Sequence, residues 1–194
     1  MAGIGLKYCM FAPIATEPEG ALPTYDDIIT VGKIITANLT LTFANGKLYG
    51  DDALIEEVNE FSSGAIELGV DDMTDEVLGA VYGCDVDTTE ANKATVTYNV
   101  NDVPPFGGFG YVRKFIKNNV PRFVGYYYPK VRAVLGNEST STKGESITWQ
   151  TPTTTLTVFT ANTGDWRKQH TEETEEAAKA WVEQMLGKTV SAGG

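Results

Sequence analysis

The chain of 194 residues carries 15 Lys and Arg against 26 Asp and Glu, a net charge of −11, with 42% hydrophobic and 10% aromatic residues. That charge argues against a nucleic-acid-binding surface of the usual basic kind, while the apolar content suits one large domain with a real core. No apolar run reaches the roughly 18 residues that a membrane span needs. The first seven residues lack the basic segment and long apolar core of a secretion signal, so synthesis and assembly in a cytoplasm are expected.

In chain order, 4–12 reads as a short strand ended by Pro13. Two prolines and a glycine within 17–23 prevent regular structure, so 13–30 is expected to be an N-terminal arm or linker, on a neighbouring subunit or on the chain's own surface. A long alternation begins at Val31. Val31, Ile35, Ala37, Leu39, Leu41 and Phe43 fall on one face, Thr36, Asn38, Thr40 and Thr42 on the other. This period of two marks a strand with one buried face. Asn45-Gly46 tolerates positive φ, which predicts a tight turn over 44–47. A further strand spans 66–70, with Ile66, Leu68 and Val70 on one face. Between them, 49–63 is expected to be an extended loop. It is acidic at Asp51, Asp52, Glu56, Glu57 and Glu60, yet it keeps Leu54, Ile55, Val58 and Phe61. Leaving those apolar side chains in water costs about 25 cal/mol per Å². The spacing of 54, 58 and 61 also permits a helical turn or two with one apolar face. A segment this long between strands points to contact with something else.

Thr74, followed by Asp75 and Glu76, is a helix start. Val77, Leu78 and Val81 supply an apolar stripe and Gly83 an end. Residues 94–100 alternate again. Residues 109–116 and 122–135 predict a hairpin turning at 118–121, with Pro129 at an edge or bulge because it donates no ladder hydrogen bond. A polar segment at 138–144 precedes a threonine-rich strand region at 146–160, a turn at 161–165 and a short return strand at 166–168. Thr171 or Thr174 caps the last helix, 175–186. Acids fill its start, Gly187 follows it, and Ala177, Trp181 and Met185 form the stripe expected to face a sheet. The tail 188–194 is expected to be loose. The elements together describe a mainly β chain with a short middle helix and one C-terminal amphipathic helix.

Catalytic chemistry has little support. Cys9 and Cys84 sit among apolar residues and read as reduced, buried thiols, with a disulfide between them the alternative that sequence leaves open. His170, the one histidine, stands in a polar segment and reads as a solvated surface residue. No Ser-His-Asp or Cys-His pattern is present. Gly107-Gly108-Phe109-Gly110 lacks the Lys-Ser/Thr of a phosphate loop and opens a strand. The pairs Asp26-Asp27, Asp51-Asp52 and Asp71-Asp72 lack the spacing of a calcium loop and suit turns, caps or partners for a neighbour's cations. No catalytic residue, cofactor or metal site is expected.

Several stretches do form an ordered set. Val31-Gly32-Lys33-Ile34 leads to Tyr49-Gly50-Asp51-Asp52. Phe61-Ser62-Ser63-Gly64-Ala65-Ile66-Glu67-Leu68-Gly69-Val70-Asp71-Asp72 comes next, and then Phe106-Gly107-Gly108-Phe109-Gly110-Tyr111. Tyr128-Pro129-Lys130-Val131 and Ile147-Thr148-Trp149-Gln150-Thr151-Pro152 follow, and an acidic, tryptophan-bearing helix ends the run. This order resembles the major tail (tail tube) protein family of long-tailed bacteriophages and prophages, over 4–186 except 16–27. The resemblance implies a single domain of two packed antiparallel sheets, a sandwich or barrel, flanked by a helix. It implies hexameric rings that stack into a tube in the virion, with DNA passing through the lumen at ejection and no membrane involved. Partners would be further copies of the chain and other tail proteins such as the tape measure and tail terminator. The long loop would touch the next ring, which makes Tyr49, Asp51, Asp52, Leu54, Ile55, Val58 and Phe61 candidate inter-ring contacts. Two physical points agree. A net acidic lumen repels the DNA backbone and lets it slide, and a tube needs heterologous contacts that repeat without limit. The alternative is a monomeric β-sandwich binding module, cell-surface or carbohydrate-binding, using Phe123, Tyr126, Tyr127 and Tyr128.

Overall fold

The computed structural model describes residues 2–89, 93–136 and 151–188. The strands are β1 (Ala2–Thr16), β2 (Thr24–Tyr25), β3 (Ile29–Gly32), β4 (Ile34–Gly50) and β5 (Ala53–Val70); then, after helix α1 (Asp75–Tyr82), β6 (Asp85–Asp87), β7 (Thr95–Thr97), β8 (Phe106–Lys117), β9 (Val120–Val134), β10 (Thr153–Phe159) and β11 (Lys168–Glu172), followed by helix α2 (Glu175–Met185). The fold is mainly β and antiparallel, as the alternation requires. Nine strands form one sheet in the order β2-β1-β8-β9-β10-β5-β4, with β3 also on β1 and β11 also on β9; β6 and β7 form a second, small sheet.

The large sheet closes on itself through one bent strand. β3 pairs with β1 through Phe11↔Ile29 and Met10↔Thr30, β4 pairs with β5 from Ile34↔Val70 onward, and only Lys33 separates β3 from β4. The corner needs Gly32, whose φ is 153°, since a Cβ there would strike the Asp72 carbonyl oxygen. Asp71 fastens it. Its carboxylate accepts the Lys33 N–H at 2.6 Å and its own N–H donates to the Lys33 carbonyl at 2.9 Å. The Lys33 N–H holds the Asp71 carboxyl below the usual carboxylate range. The bulge just past the corner buries Ile34 and turns Ile35, expected on the inner face, out to solvent. Inside the closed sheet lie Phe11, Val31, Ile66, Leu68, Phe109, Tyr128, Leu156 and Val158, with Val77 and Val81 of α1. Helix α1 starts after Thr74, whose side chain, expected as a cap, makes no capping hydrogen bond, and it ends at Gly83, whose φ of 72° lets its N–H reach the Gly79 carbonyl.

Strands β1, β8 and β9 are covered on both faces, which explains their nearly unbroken apolar runs. Cys9, Phe11, Phe109, Tyr111 and Tyr128 point into the closed core. Met10, Ala12, Val112 and Tyr127 point outward and are buried by Ala178, Val182 and Leu186 of the α2 segment. The glycines at 108, 110 and 125 are the seat for that segment. A Cβ on Gly110 would collide with Val182 Cγ1, one on Gly108 would lie 2.7 Å from Leu186 Cδ2, and one on Gly125 2.8 Å from Trp181 Cε3. The stripe that faces the sheet is therefore Ala178, Val182 and Leu186, one residue along from the expected Ala177, Trp181 and Met185. Small side chains let the helix sink onto glycine, and bulky Trp181 lies half-buried at its flank. Thr174 caps α2 by accepting the Ala177 N–H at 3.2 Å. Glu175, in the first turn, receives Lys7 at 2.8 Å and the Tyr8 hydroxyl at 2.6 Å, which hold its carboxyl below the usual range.

Other expectations are corrected. β1 runs on through Pro13, whose carbonyl accepts the Asp26 N–H at 2.9 Å. The arm folds back on its own chain, because β2 pairs with β1 and the Tyr25 hydroxyl bonds the Pro129 carbonyl at 2.8 Å and the Tyr127 hydroxyl. Pro129 sits at a bulge, where β9 changes partner from β11 to β10. The return strand falls at Lys168–Glu172. The polar segment 138–144, residues 146–150 of the threonine-rich strand and residues 189–194 of the tail lie outside the described residues.

Substituting Gly110→Val should lower stability by about 1–3 kcal/mol, the usual cost of overpacking, and loosen α2. Trp181→Ala should cost less than Leu186→Ala, because Trp181 keeps part of its ring in water. Urea midpoints of the three variants check this; an unchanged midpoint for Gly110→Val would mean that the helix does not sit on that glycine.

Candidate functional site

The acidic stretch expected as a loop is a strand. β4 and β5 stay paired from Ile34↔Val70 out to Gly50↔Ala53, and the chain reverses through Asp51 and Asp52 alone. Both aspartates have positive φ, 50° and 60°, the geometry of a two-residue turn whose twist matches the strands. Asn45-Gly46, expected as the turn, lies in mid-strand, where Asn45 opposes Asn59 and Gly46 opposes Val58. The register decided between the two turns. Pairing β5 with β4 through Ala37↔Leu68 and Leu39↔Ile66 keeps the apolar faces together. The same register then sets Lys47 against Glu57, with 3.7 Å between their charged groups.

The pair outruns its sheet. β10 covers β5 only over 64–69, so the ribbon from Thr42↔Ser63 to the turn has no third strand and extends roughly 25 Å at about 3.3 Å per residue. Its root is aromatic. Phe61 stacks on Trp166 with centroids 4.6 Å apart and planes 7° from parallel, and Phe43 meets Phe61 edge-on at 6.4 Å. Such pairs add about 0.5–1.5 kcal/mol each beyond area burial, enough to fix the direction in which the ribbon leaves the sheet.

Beyond the root the side chains are exposed. Ile55 is 65% exposed, Tyr49 63% and Leu48 56%. Successive cross-strand pairs alternate faces. One face bears Asn45, Asn59, Lys47 and Glu57. The other bears Ala44 with Glu60, Gly46 with Val58, and Leu48 with Glu56. At the tip, Tyr49 opposes Leu54 and Ile55 is the extra residue of a bulge. The structure therefore brings Tyr49, Leu54 and Ile55 together beside Asp51 and Asp52. It separates Val58 onto one face and withdraws Phe61 to the root. The single apolar face of a helical turn at 54, 58 and 61 does not exist, because the segment is extended. Phe43, Leu48 and Trp166 belong to the site and were not singled out from sequence. The match of Phe43 to Phe61 and Lys47 to Glu57 across a turn at Asp51-Asp52 was the available signal.

His170 is half-exposed, stacked on Trp181 at 5.4 Å and bonded to Glu172 at 3.0 Å. Cys9 and Cys84 are buried, and burial pushes both thiols up. Among the described residues no three His, Cys, Asp or Glu side chains group to hold a metal ion, and no helix is long and apolar enough to cross a membrane. No family model matches the sequence, and no curated protein is significantly similar to it.

The turn can be tested directly. Asp52→Gly should keep the cross-strand NMR contacts between Leu48 and Glu56, since glycine adopts positive φ freely. Asp52→Val should weaken them, because left-handed backbone costs an L-residue roughly 1–2 kcal/mol. Equal contacts in both variants would contradict a turn at Asp51-Asp52.

Proposed function

We propose that this chain is a structural subunit of a bacteriophage-type tail tube, and that the β4–β5 ribbon is its contact with the next ring. The observation that carries the reading is the ribbon itself: a paired, aromatic-rooted projection whose tip leaves Leu48, Tyr49, Leu54 and Ile55 in water. A lone subunit gains nothing from exposing them, whereas a contact between copies removes them from water at about 25 cal/mol per Å². The sheet holds the ribbon by its backbone, so its tip can reach a second molecule while the domain keeps its own core.

Two further features support the reading. A net charge of −11 suits a conduit that DNA must pass without adhering. The ribbon and its docking surface would differ, so each contact leaves a free ribbon and a free surface, as open stacking requires. The number six per ring, the virion location and the tape measure and terminator partners come from the family resemblance. The binding-module alternative loses its main feature, since Tyr127 and Tyr128 are buried in the two cores and Tyr126 stacks on Tyr111 at 5.0 Å.

The test shortens the ribbon without breaking register. Residues 45–59 are replaced by Asn-Gly, so that Ala44 and Glu60, which already oppose each other, close a new two-residue hairpin. Circular dichroism should be the parent's less the strand content of the removed residues, with cooperative thermal unfolding retained. Electron micrographs should show sixfold rings or tubes for the parent and single particles for the variant. Tubes from the shortened chain would contradict the proposal.

A further inference from the structure

The ribbon's outward charge is unpaired. Over 44–60 the sequence has one lysine against five carboxylates, and among the described residues the one ion pair there is Lys47 with Glu57. Among the described residues, Asp51, Asp52, Glu56 and Glu60 make no ion pair. The face of Leu48 and Val58 is therefore apolar and flanked by two free glutamates, Glu56 and Glu60, while the opposite face balances its own charge.

The opposite arrangement stands elsewhere on the molecule. From Val103 to Asn137 there is no acid, and Arg113, Lys114, Lys117 and Arg122 fall within ten residues. These sit at the end of the β8–β9 hairpin, which turns through Asn118 and Asn119 with φ of 52° and 63°. Arg122 is taken by Glu173. Lys114 lies 5.9 Å over the Phe123 ring, and among the described residues neither it, Arg113 nor Lys117 has an ion-pair partner. The same tip exposes Ile116 and Val120, and the neighbouring start of β1 exposes Ile4. Cross-strand pairs alternate faces, so Lys114 and Ile116 share one face of the tip and Lys117 and Val120 the other. Each face thus sets an apolar side chain beside a cation, matching a ribbon face that sets apolar side chains beside carboxylates.

We infer that the ribbon face of Leu48, Glu56, Val58 and Glu60 docks on the basic β8–β9 tip of a second copy of this chain. The inference rests on the self-assembly reading above and adds its receptor. Copies that each carry −11 repel one another, so association requires unlike patches to meet locally. The basic tip is where the chain gathers positive charge with no acid beside it in sequence. Two different patches also make the contact heterologous.

The experiment is a charge swap read by the critical concentration for assembly, from sedimentation and electron microscopy. Glu56→Lys with Glu60→Lys should raise it at least tenfold, as should Lys114→Glu with Lys117→Glu. All four substitutions in one chain should return it to within about threefold of the parent, because the attraction is restored with reversed sign. Raising salt should weaken parent and quadruple variant alike. Should a reversal variant misfold, Glu56→Gln with Glu60→Gln reads the same contact at lower contrast. A tip reversal that assembles like the parent, or a quadruple variant no better than either pair, overturns the docking site. If the shortened-ribbon chain still fails to assemble in that case, the ribbon stands as the contact and only its receptor is wrong. A parent that never leaves the monomer overturns both.

Discussion

Backbone hydrogen bonding within one strand pair is the constraint on which the rest of this structure depends. β4 and β5 satisfy each other from the corner at Ile34↔Val70 to the turn at Gly50↔Ala53. Each strand of a ribbon needs a partner for its inward N–H and C=O groups, and water can serve the outward ones. The pair can therefore leave the sheet where β10 ends at Gly64 without stranding polar groups. A loop of the same sequence would have no such order, and its apolar residues would not be held in fixed positions for a partner. Rigidity set by main-chain pairing would lower the entropy lost in the proposed docking of the ribbon.

The inner end of the same pair sets the domain. Because β4 continues from β3 across Lys33, the strand that projects outward is also the strand that closes the sheet, through Gly32 and the Asp71 carboxylate. A load on the ribbon is thus carried into the core beside Ile66, Leu68 and Val70. The second layer is separate. Helix α2 lies on Gly108, Gly110 and Gly125, so the glycine run that superficially resembles a phosphate loop is a close-approach surface for a helix.

How much of this was legible depended on whether one rule or several acted at a residue. The alternations at 37–43 and 66–70, the helix start at Thr74 and the bulge at Pro129 each follow from one local rule, and the structure has them. The turn failed because two dipeptides, Asn45-Gly46 and Asp51-Asp52, both tolerate positive φ, and only the pairing of distant residues such as Leu39 with Ile66 chooses between them. Acidity then disguised 53–60 as a loop, since strand character there comes from cross-strand pairing rather than intrinsic propensity. The α2 stripe was displaced by one residue because hydrophobicity marks Trp181, whereas fit against glycine selects Ala178 and Val182. The basic tip was legible as composition, but that Glu173 takes Arg122 and leaves Lys114 and Lys117 without an ion-pair partner among the described residues required the fold.

Hydrogen–deuterium exchange of the assembled protein against the dilute monomer tests the central claim most directly, because it reads burial residue by residue without altering the chain. The account predicts that assembly slows exchange over the outward amides of 44–60 and at 113–120, while the closed core around Ile66, Phe109 and Leu156 is unchanged. Assembled particles in which 44–60 exchanges at the monomer's rate would contradict it.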